Sequence, residues 1–412
     1  MMGLRVIQTI PDISIDNGGP SRTCRSLCEA MARAGANVTL LAGDHGHPPE
    51  ALLLPDPALV TTHLVPITRR LGLPSYGFDA AVAATPADIL HDNGIWSPGN
   101  FPATTAAGRR GLPFVISAHG MLEPWALAHK AMKKRLAWAG YQHRLLDAAA
   151  GLHATAGPER GSIRARMPQS PIAVIANGVD CPDSPPDQAL RIGANARTVL
   201  VLSRLHPVKN LPGLVAAWAR IAADPAFDAW TLAIHGPDAD GHRAVVAAAI
   251  AAAGLQDRII LGDAVAESGK AALFAGADLF ILPSFSENFG IVVAEALAHG
   301  VPVVASTGTP WADLPGAGCG WHVPPDPGSL AAALATAMAL PAAARAEMGR
   351  RGHAHARAAF GWPRIAGQML GFYDWLLSGR AKGDPAPDFV DAPERNPAAR
   401  PNETLSGVDE AA

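Results

Sequence analysis

Short, uninterrupted runs of Val, Ile and Leu alternate with Ala-rich stretches of helical length along nearly the whole chain, and few folds accept that rhythm. Runs at Leu4–Ile10, Asn37–Ala42, Ala58–Val65, Ala87–His91, Pro113–Ala118, Gly151–Thr155 and Ile172–Ile175 form one series. Thr198–Leu202, Trp230–Ile234, Arg258–Leu261, Asp278–Leu282 and Val301–Ala305 form a second. A strand buried on both faces reads as a continuous apolar run, so each series predicts a parallel sheet covered by helices on both sides. A stretch rich in Pro and Asp separates the series, which predicts two doubly wound α/β domains. The expected divisions are a first domain over 1–180, a linker over 181–197 and a second domain over 198–360. A C-terminal helix over 361–379 is expected to pack back on the first domain. From Arg380 the sequence is polar and Pro-rich with almost no core formers, so 380–412 is expected to be a disordered tail.

Composition excludes several classes. With 49% hydrophobic and 17% charged residues, the chain has ample material for cores. Its 33 basic and 36 acidic residues nearly balance, so it offers no polycation and no nucleic-acid partner is expected. Four cysteines without C-x-x-C spacing argue against a disulfide scaffold or structural zinc. The start, Met1 to Arg5, runs at once into the first strand, and the Ala-rich stretch 327–344 is broken by Pro and Gly. Neither reads as a leader or a bilayer span, and a soluble, cytoplasmic protein is expected.

Ligands of open α/β sheets bind beyond the C-terminal ends of the strands, so the loops there carry the chemistry. Gly18 and Gly19 open the first helix, where backbone N–H groups can approach an anion; a plain tight turn is the alternative. His119-Gly120 ends a strand that would be buried, and Asn93 and Trp96 follow the strand before it, offering groups on the acceptor side or simply local turn bonds. After the strand Thr198–Leu202 come Arg204 and Lys209, two cations suited to a diphosphate unless the loop is merely solvated. After Asp278–Leu282 come Glu287, Phe289 and Gly290, opening a helix that carries Glu295. Acids beside an anion site make sense if they accept hydrogen bonds from sugar hydroxyls.

The set Ser203-Arg204 … Lys209-Asn210, Pro283-Ser284 … Glu287-Asn288-Phe289-Gly290 … Glu295-Ala296-Leu297 … Gly300-Val301-Pro302 closely resembles family 4 retaining glycosyltransferases of the GT-B fold. Asn177-Gly178-Val179-Asp180 resembles that family's segment joining two domains, and the likeness runs from Leu4 to Leu377. The stretch Ile116 to Trp125 further resembles a bacterial subgroup associated with exopolysaccharide or lipopolysaccharide assembly. The resemblance implies two Rossmann-like domains facing across a cleft, and a UDP- or GDP-linked sugar as donor. Arg204 and Lys209 would hold the diphosphate, Glu287 the sugar hydroxyls, and Phe289, Gly290 and Ile291 would contribute backbone N–H groups. Glu295 would accept from the ribose, with Gly18, Gly19 and Gly236 near the phosphates and His119 touching the sugar. No metal and no further cofactor are implied; Asp238-Ala239-Asp240 reads as a loop rather than a metal-binding pair. The expected acceptor is a saccharide or a lipid-linked saccharide.

Two rivals share the architecture, a nucleotide-sugar 2-epimerase and a catalytically silent nucleotide-sugar binding protein. The basic run Lys130, Lys133, Lys134 and Arg135 lies in a long helical stretch with Trp125, Leu127, Leu136, Trp138 and Leu145. It reads as a solvated face or as peripheral contact with the inner face of a membrane. On a helical wheel its cations and apolar residues are poorly segregated.

Overall fold

The computed structural model describes residues 3–70, 73–184 and 197–393. The chain divides into two compact units, Met1–Gly178 with Trp362–Ala412, and Val179–Gly361. The first unit contains β1 (Arg5–Ile10), β2 (Asn37–Asp44), β3 (Thr61–Arg70), β4 (Leu73–Tyr76), β5 (Ile89–Asn93), β6 (Phe114–Ser117), β7 (Gly151–Ala154) and β8 (Ile172–Val174). The second contains β9 (Arg197–Leu202), β10 (Trp230–His235), β11 (Ile259–Leu261), β12 (Leu279–Leu282), β13 (Val303–Ser306) and β14 (Gly320–Val323). A last strand, β15 (Val390–Asp391), returns to the first. The strand orders are β15-β8-β7-β6-β5-β1-β2-β3-β4 and β11-β10-β9-β12-β13-β14. All pairings are parallel except β3 with β4 and β8 with β15.

The period of two explains why these runs are apolar throughout. In the first unit Ile7, Leu41, Leu90 and Ile116 enter the core on one side of the sheet. Their neighbours Val6, Leu40, Ile89 and Val115 enter the core on the other. Both faces are dry, so neither member of a pair can be polar without an internal partner. The second core gathers Val199, Val201, Leu232, Ile281, Trp218 and Trp230.

The helix Trp362–Asp374 packs against Gly19–Arg33 and adds Ile365, Met369, Phe372 and Tyr373 to the first core. Close approach fixes two glycines there. A Cβ on Gly151 would strike the Phe372 ring, and one on Gly178 the Trp362 indole.

The expected tail begins too early. Arg380–Lys382 is helical, the Val174 N–H donates to the Phe389 carbonyl at 2.8 Å, and Val390 is buried beside Ala173. Phe389 and Val390 are the few core formers in an otherwise polar stretch, and β8 was an open edge that could pair with them. Residues 394–412, and most of the expected linker, lie outside the described residues. The short β4 and β14 were also missed, since Pro74 and the glycines around β14 break the strand pattern. Among the described residues no single helix is long and apolar enough to cross a membrane.

Candidate active site

In the second unit the loop after β9 is built around Arg204 to Asn210. The Leu205 N–H donates to the Pro237 carbonyl at 2.8 Å, and the Ala239 N–H donates back to Leu205 at 3.1 Å. That pairing lays the Gly236 loop against Ser203 and Arg204, and a Cβ on Gly236 would strike the Ser203 carbonyl. A single 3₁₀ turn, Pro207–Lys209, follows, started by His206, whose ring accepts from the Val208 N–H. Asn210 takes the left-handed conformation at φ 55°. Its amide donates to the carbonyls of Pro283 (3.1 Å) and Pro325 (2.7 Å), which staples three loops at one edge of the sheet.

The staple brings Lys209 to Glu287. The Lys209 ammonium donates to Glu287 Oε1, and the Ser284 hydroxyl donates to the same oxygen at 2.7 Å. Both side chains are about seven-eighths buried, at 13% and 12% exposure, so their attraction is only partly screened. The Glu287 N–H donates to the Gly308 carbonyl at 2.8 Å, and Ser306 donates to the Ser284 carbonyl. Arg204 is exposed and has no ion-pair partner among the described residues; together with burial it lowers the pKa of His206. One permanent cation is thus held in place and a second stands on the same loop.

Gly290, left-handed at φ 73°, turns the chain into the helix Ile291–Ala298. The first turn of a helix has N–H groups without carbonyls to receive them. Phe289 is buried, and its own carbonyl accepts from the Trp311 indole at 2.7 Å, which orients the turn. Glu295, expected to accept from the ribose, has a cation beside it. Lys270, on the helix Glu267–Gly276, donates to both of its oxygens, at 2.9 and 3.2 Å. Lys270 lies 25 residues upstream without any spacing signal, so only the packing of two helices reveals it. Ser306 and Gly308 carry no spacing signal either, whereas Ser284 belongs to the motif that also contains Glu287. Asp238 accepts the Arg243 N–H at 2.8 Å and so serves a helix start.

In the first unit, Gly18 (φ 74°) caps the helix Gly19–Arg33, and a Cβ on either glycine would meet open space. His119 follows β6 in the left-handed conformation, at φ 48°. Buried Glu159 holds the loop: it accepts from the Gly120 N–H at 2.5 Å and from the Thr155 N–H and hydroxyl at 2.7 and 2.9 Å. His119 Nε2 lies 3.2 Å from Asn93 Oδ1. Burial, and then the charge His153 could carry, push the His119 pKa down to about 3, so the ring is neutral near pH 7.

The two acceptor-side candidates spend polar groups inside the first unit. Asn93 is buried and spends its amide on the Gln8 side chain (2.7 Å) and the Thr9 carbonyl (3.2 Å). Trp96 donates its indole N–H to the Met121 carbonyl at 3.2 Å and packs against Trp138. Asn93 is turned inward because a strand end between two packed layers leaves polar groups no water to bond, whereas Trp96, beyond the strand, is half-buried.

Residues 196–339 match the family described as glycosyl transferases group 1, and residues 18–178 match the glycosyl transferase 4-like domain. The D-inositol 3-phosphate glycosyltransferase of Kineococcus radiotolerans is 29% identical over 320 residues, covering 71% of this chain and 73% of that protein. The GDP-mannose:cellobiosyl-diphosphopolyprenol alpha-mannosyltransferase of Xanthomonas campestris is 29% identical over 296 residues, covering 71% and 75%. Among solved structures, a sucrose-phosphate synthase from Thermosynechococcus elongatus superposes with a TM-score of 0.72 at 21% identity, covering 91% of this chain and 100% of that one. With two parallel-sheet units of the GT-B kind and both halves matched, the chain belongs to the group 1 glycosyltransferases.

Proposed function

We propose that this enzyme moves a sugar from a UDP- or GDP-linked donor to a saccharide or lipid-linked saccharide, with retention at the anomeric carbon and without a divalent metal. Retention rests on the resemblance to family 4. The observation that carries the rest is the Lys209–Glu287 pair, held by Ser284 beside the exposed Arg204. As the C1–O bond breaks, negative charge grows on the leaving diphosphate. A cation already desolvated and fixed can meet that charge without reorganising, the role a metal would otherwise fill. Glu287, acceptor-only when ionised, can take hydrogen bonds from sugar hydroxyls while keeping Lys209 in place. A lipid-linked acceptor is supported by the named substrate of the Xanthomonas relative and by exposed Met132 and Leu136 among cations in the first unit. We read it as a cytoplasmic enzyme with peripheral contact at the inner face of the membrane.

Steady-state kinetics with the cognate donor, found by a thermal-shift panel of nucleotide sugars, test the reading. Lys209→Ala and Arg204→Ala should each lower kcat by about 100-fold or more, with donor affinity falling less, and EDTA should leave the wild type active. Loss of activity on chelation, or normal turnover by both variants, would refute the metal-free role of this pair.

A further inference from the structure

The C-terminal helix delivers into the first unit a hydroxyl for which sugar transfer has no evident use. Tyr373 is fully buried, and its oxygen sits 2.5 Å from His91 Nδ1 and 3.1 Å from Gln8 Nε2. From there hydrogen bonds run both ways. His91 Nε2 lies 2.6 Å from Ser117 Oγ, which lies 2.6 Å from His153 Nδ1, and His153 Nε2 lies 2.8 Å from the Ile175 carbonyl. On the other side the Asn93 amide bonds the Gln8 oxygen and the Thr9 carbonyl, and Asn93 Oδ1 meets His119 Nε2.

Backbone carbonyls accept and never donate, and two of them fix every proton in this chain. The Ile175 carbonyl requires the His153 proton on Nε2, so His153 Nδ1 accepts from Ser117. The Ser117 oxygen then accepts from His91 Nε2, and His91 Nδ1 accepts from the Tyr373 hydroxyl. The Thr9 carbonyl requires the Asn93 nitrogen on its side, which turns Asn93 Oδ1 toward His119. Gln8, receiving the Asn93 proton at its oxygen, gives its own to Tyr373. Every donor points the same way, from His119 toward Ile175.

We propose that Asn93, turned by the Thr9 carbonyl and backed by Gln8, is the positioning residue that locks His119 as the imidazole protonated at Nε2, leaving Nδ1 to accept a hydrogen bond from a hydroxyl of the transferred sugar. The relay rests on the reading above only in its last clause, that His119 meets the sugar. A one-directional chain works only if all three histidines are neutral. Burial holds His91 well below its ordinary pKa and lowers His153 to about 4. Outer partners of this kind set the tautomer and orientation of an imidazole, and their loss commonly costs about 10–100-fold in function.

The test uses the full chain. Nitrogen-15 NMR of labelled histidines should show wild-type His119 as a single Nε2–H tautomer. Asn93→Leu keeps the bulk but removes the oxygen that faces His119 Nε2, so the tautomer should become mixed and kcat should fall about tenfold, with the donor KM changing less than about twofold. Met369→Ala, in the core of the same unit and without a hydrogen-bonding role, should lower Tm yet keep kcat. A wild-type His119 protonated at Nδ1, or an unchanged tautomer and kcat in Asn93→Leu, overturns the relay. If the tautomer shifts while His119→Ala keeps full kcat, the relay stands and the contact of His119 with the sugar falls.

Discussion

Asp92, at the end of β5, is almost fully buried, and burial raises its pKa to about 7 even though Thr9 and Asn100 donate to it. Around it His91, His119 and His153 are held below their ordinary 6.5, the last two at about 3 and 4. These groups pull stability in opposite directions. Between pH 6.5 and about 4 the unfolded chain takes up protons that the folded histidines refuse, so each of the three costs stability as pH falls. Asp92 takes up its proton more readily when folded, so its contribution grows as pH falls from about 7 toward 4. Three groups against one leave the first unit acid-labile. Asp92→Asn should steepen the loss of stability between pH 7 and pH 5, measured by urea unfolding at several pH values. An unchanged slope would mean that the Asp92 carboxyl is not protonated in the folded state there.

The stretch from Trp125 to Leu145 shows what an element's ends decide. Read as one helix, it mixes cations with apolar residues; folded, it breaks at Lys130, left-handed at φ 53°, and again at the π turn Trp138–Gln142. The break turns Lys134 inward, where its ammonium donates to the Ala126 carbonyl and lies 5.8 Å from the centroid of the Trp96 ring. With that cation bent back and half-buried, Met132 and Leu136 stand one turn apart at 78% and 71% exposure, beside exposed Lys133 and Arg135. Two bare apolar side chains flanked by cations suit an anionic lipid surface. Vesicles containing anionic lipid should sediment the wild type at low salt. Met132→Ser with Leu136→Ser should weaken binding by about tenfold or more, since each buried side chain is worth roughly 1.5–3 kcal/mol. Equal binding by both proteins would remove this face from the membrane proposal.

For the whole molecule, the decisive event is the return of the chain. After the second unit it re-enters the first with Trp362–Asp374, and Val390–Asp391 pairs with β8. Asp391 also meets Arg164 at 3.1 Å, and the Trp375 indole donates to the Asp384 carbonyl at 3.2 Å. A chain ending at Gly379 keeps the helix Trp362–Asp374 but loses the Val390–Asp391 pairing and both of these contacts, and uncovers the edge of β8. Removing buried Val390 and the partly buried Phe389 should cost about 2–4 kcal/mol. A fall in Tm of several degrees is therefore expected, and identical melting curves for the two lengths would contradict it.

The two-layered rhythm, the cation loop at Arg204–Lys209 and the Glu287–Gly290 turn were legible without coordinates, because periodicity and loop chemistry are local properties. A strand buried on both faces must be apolar at every position, and a turn into a helix at Gly290 needs a residue that tolerates positive φ. Partnership is not local. That Glu295 faces Lys270, that Asn93 faces His119, and that Tyr373 bridges Gln8 and His91 depend on which elements pack together. The same holds for the last strand: Val390 in a polar stretch has no pattern to announce it, and becomes a strand only because β8 offers an unpaired edge. Local pattern chose the elements and the chemistry of their loops, whereas packing between residues hundreds of positions apart assigned each polar group its partner, since a buried donor or acceptor must be satisfied by whatever the fold brings beside it.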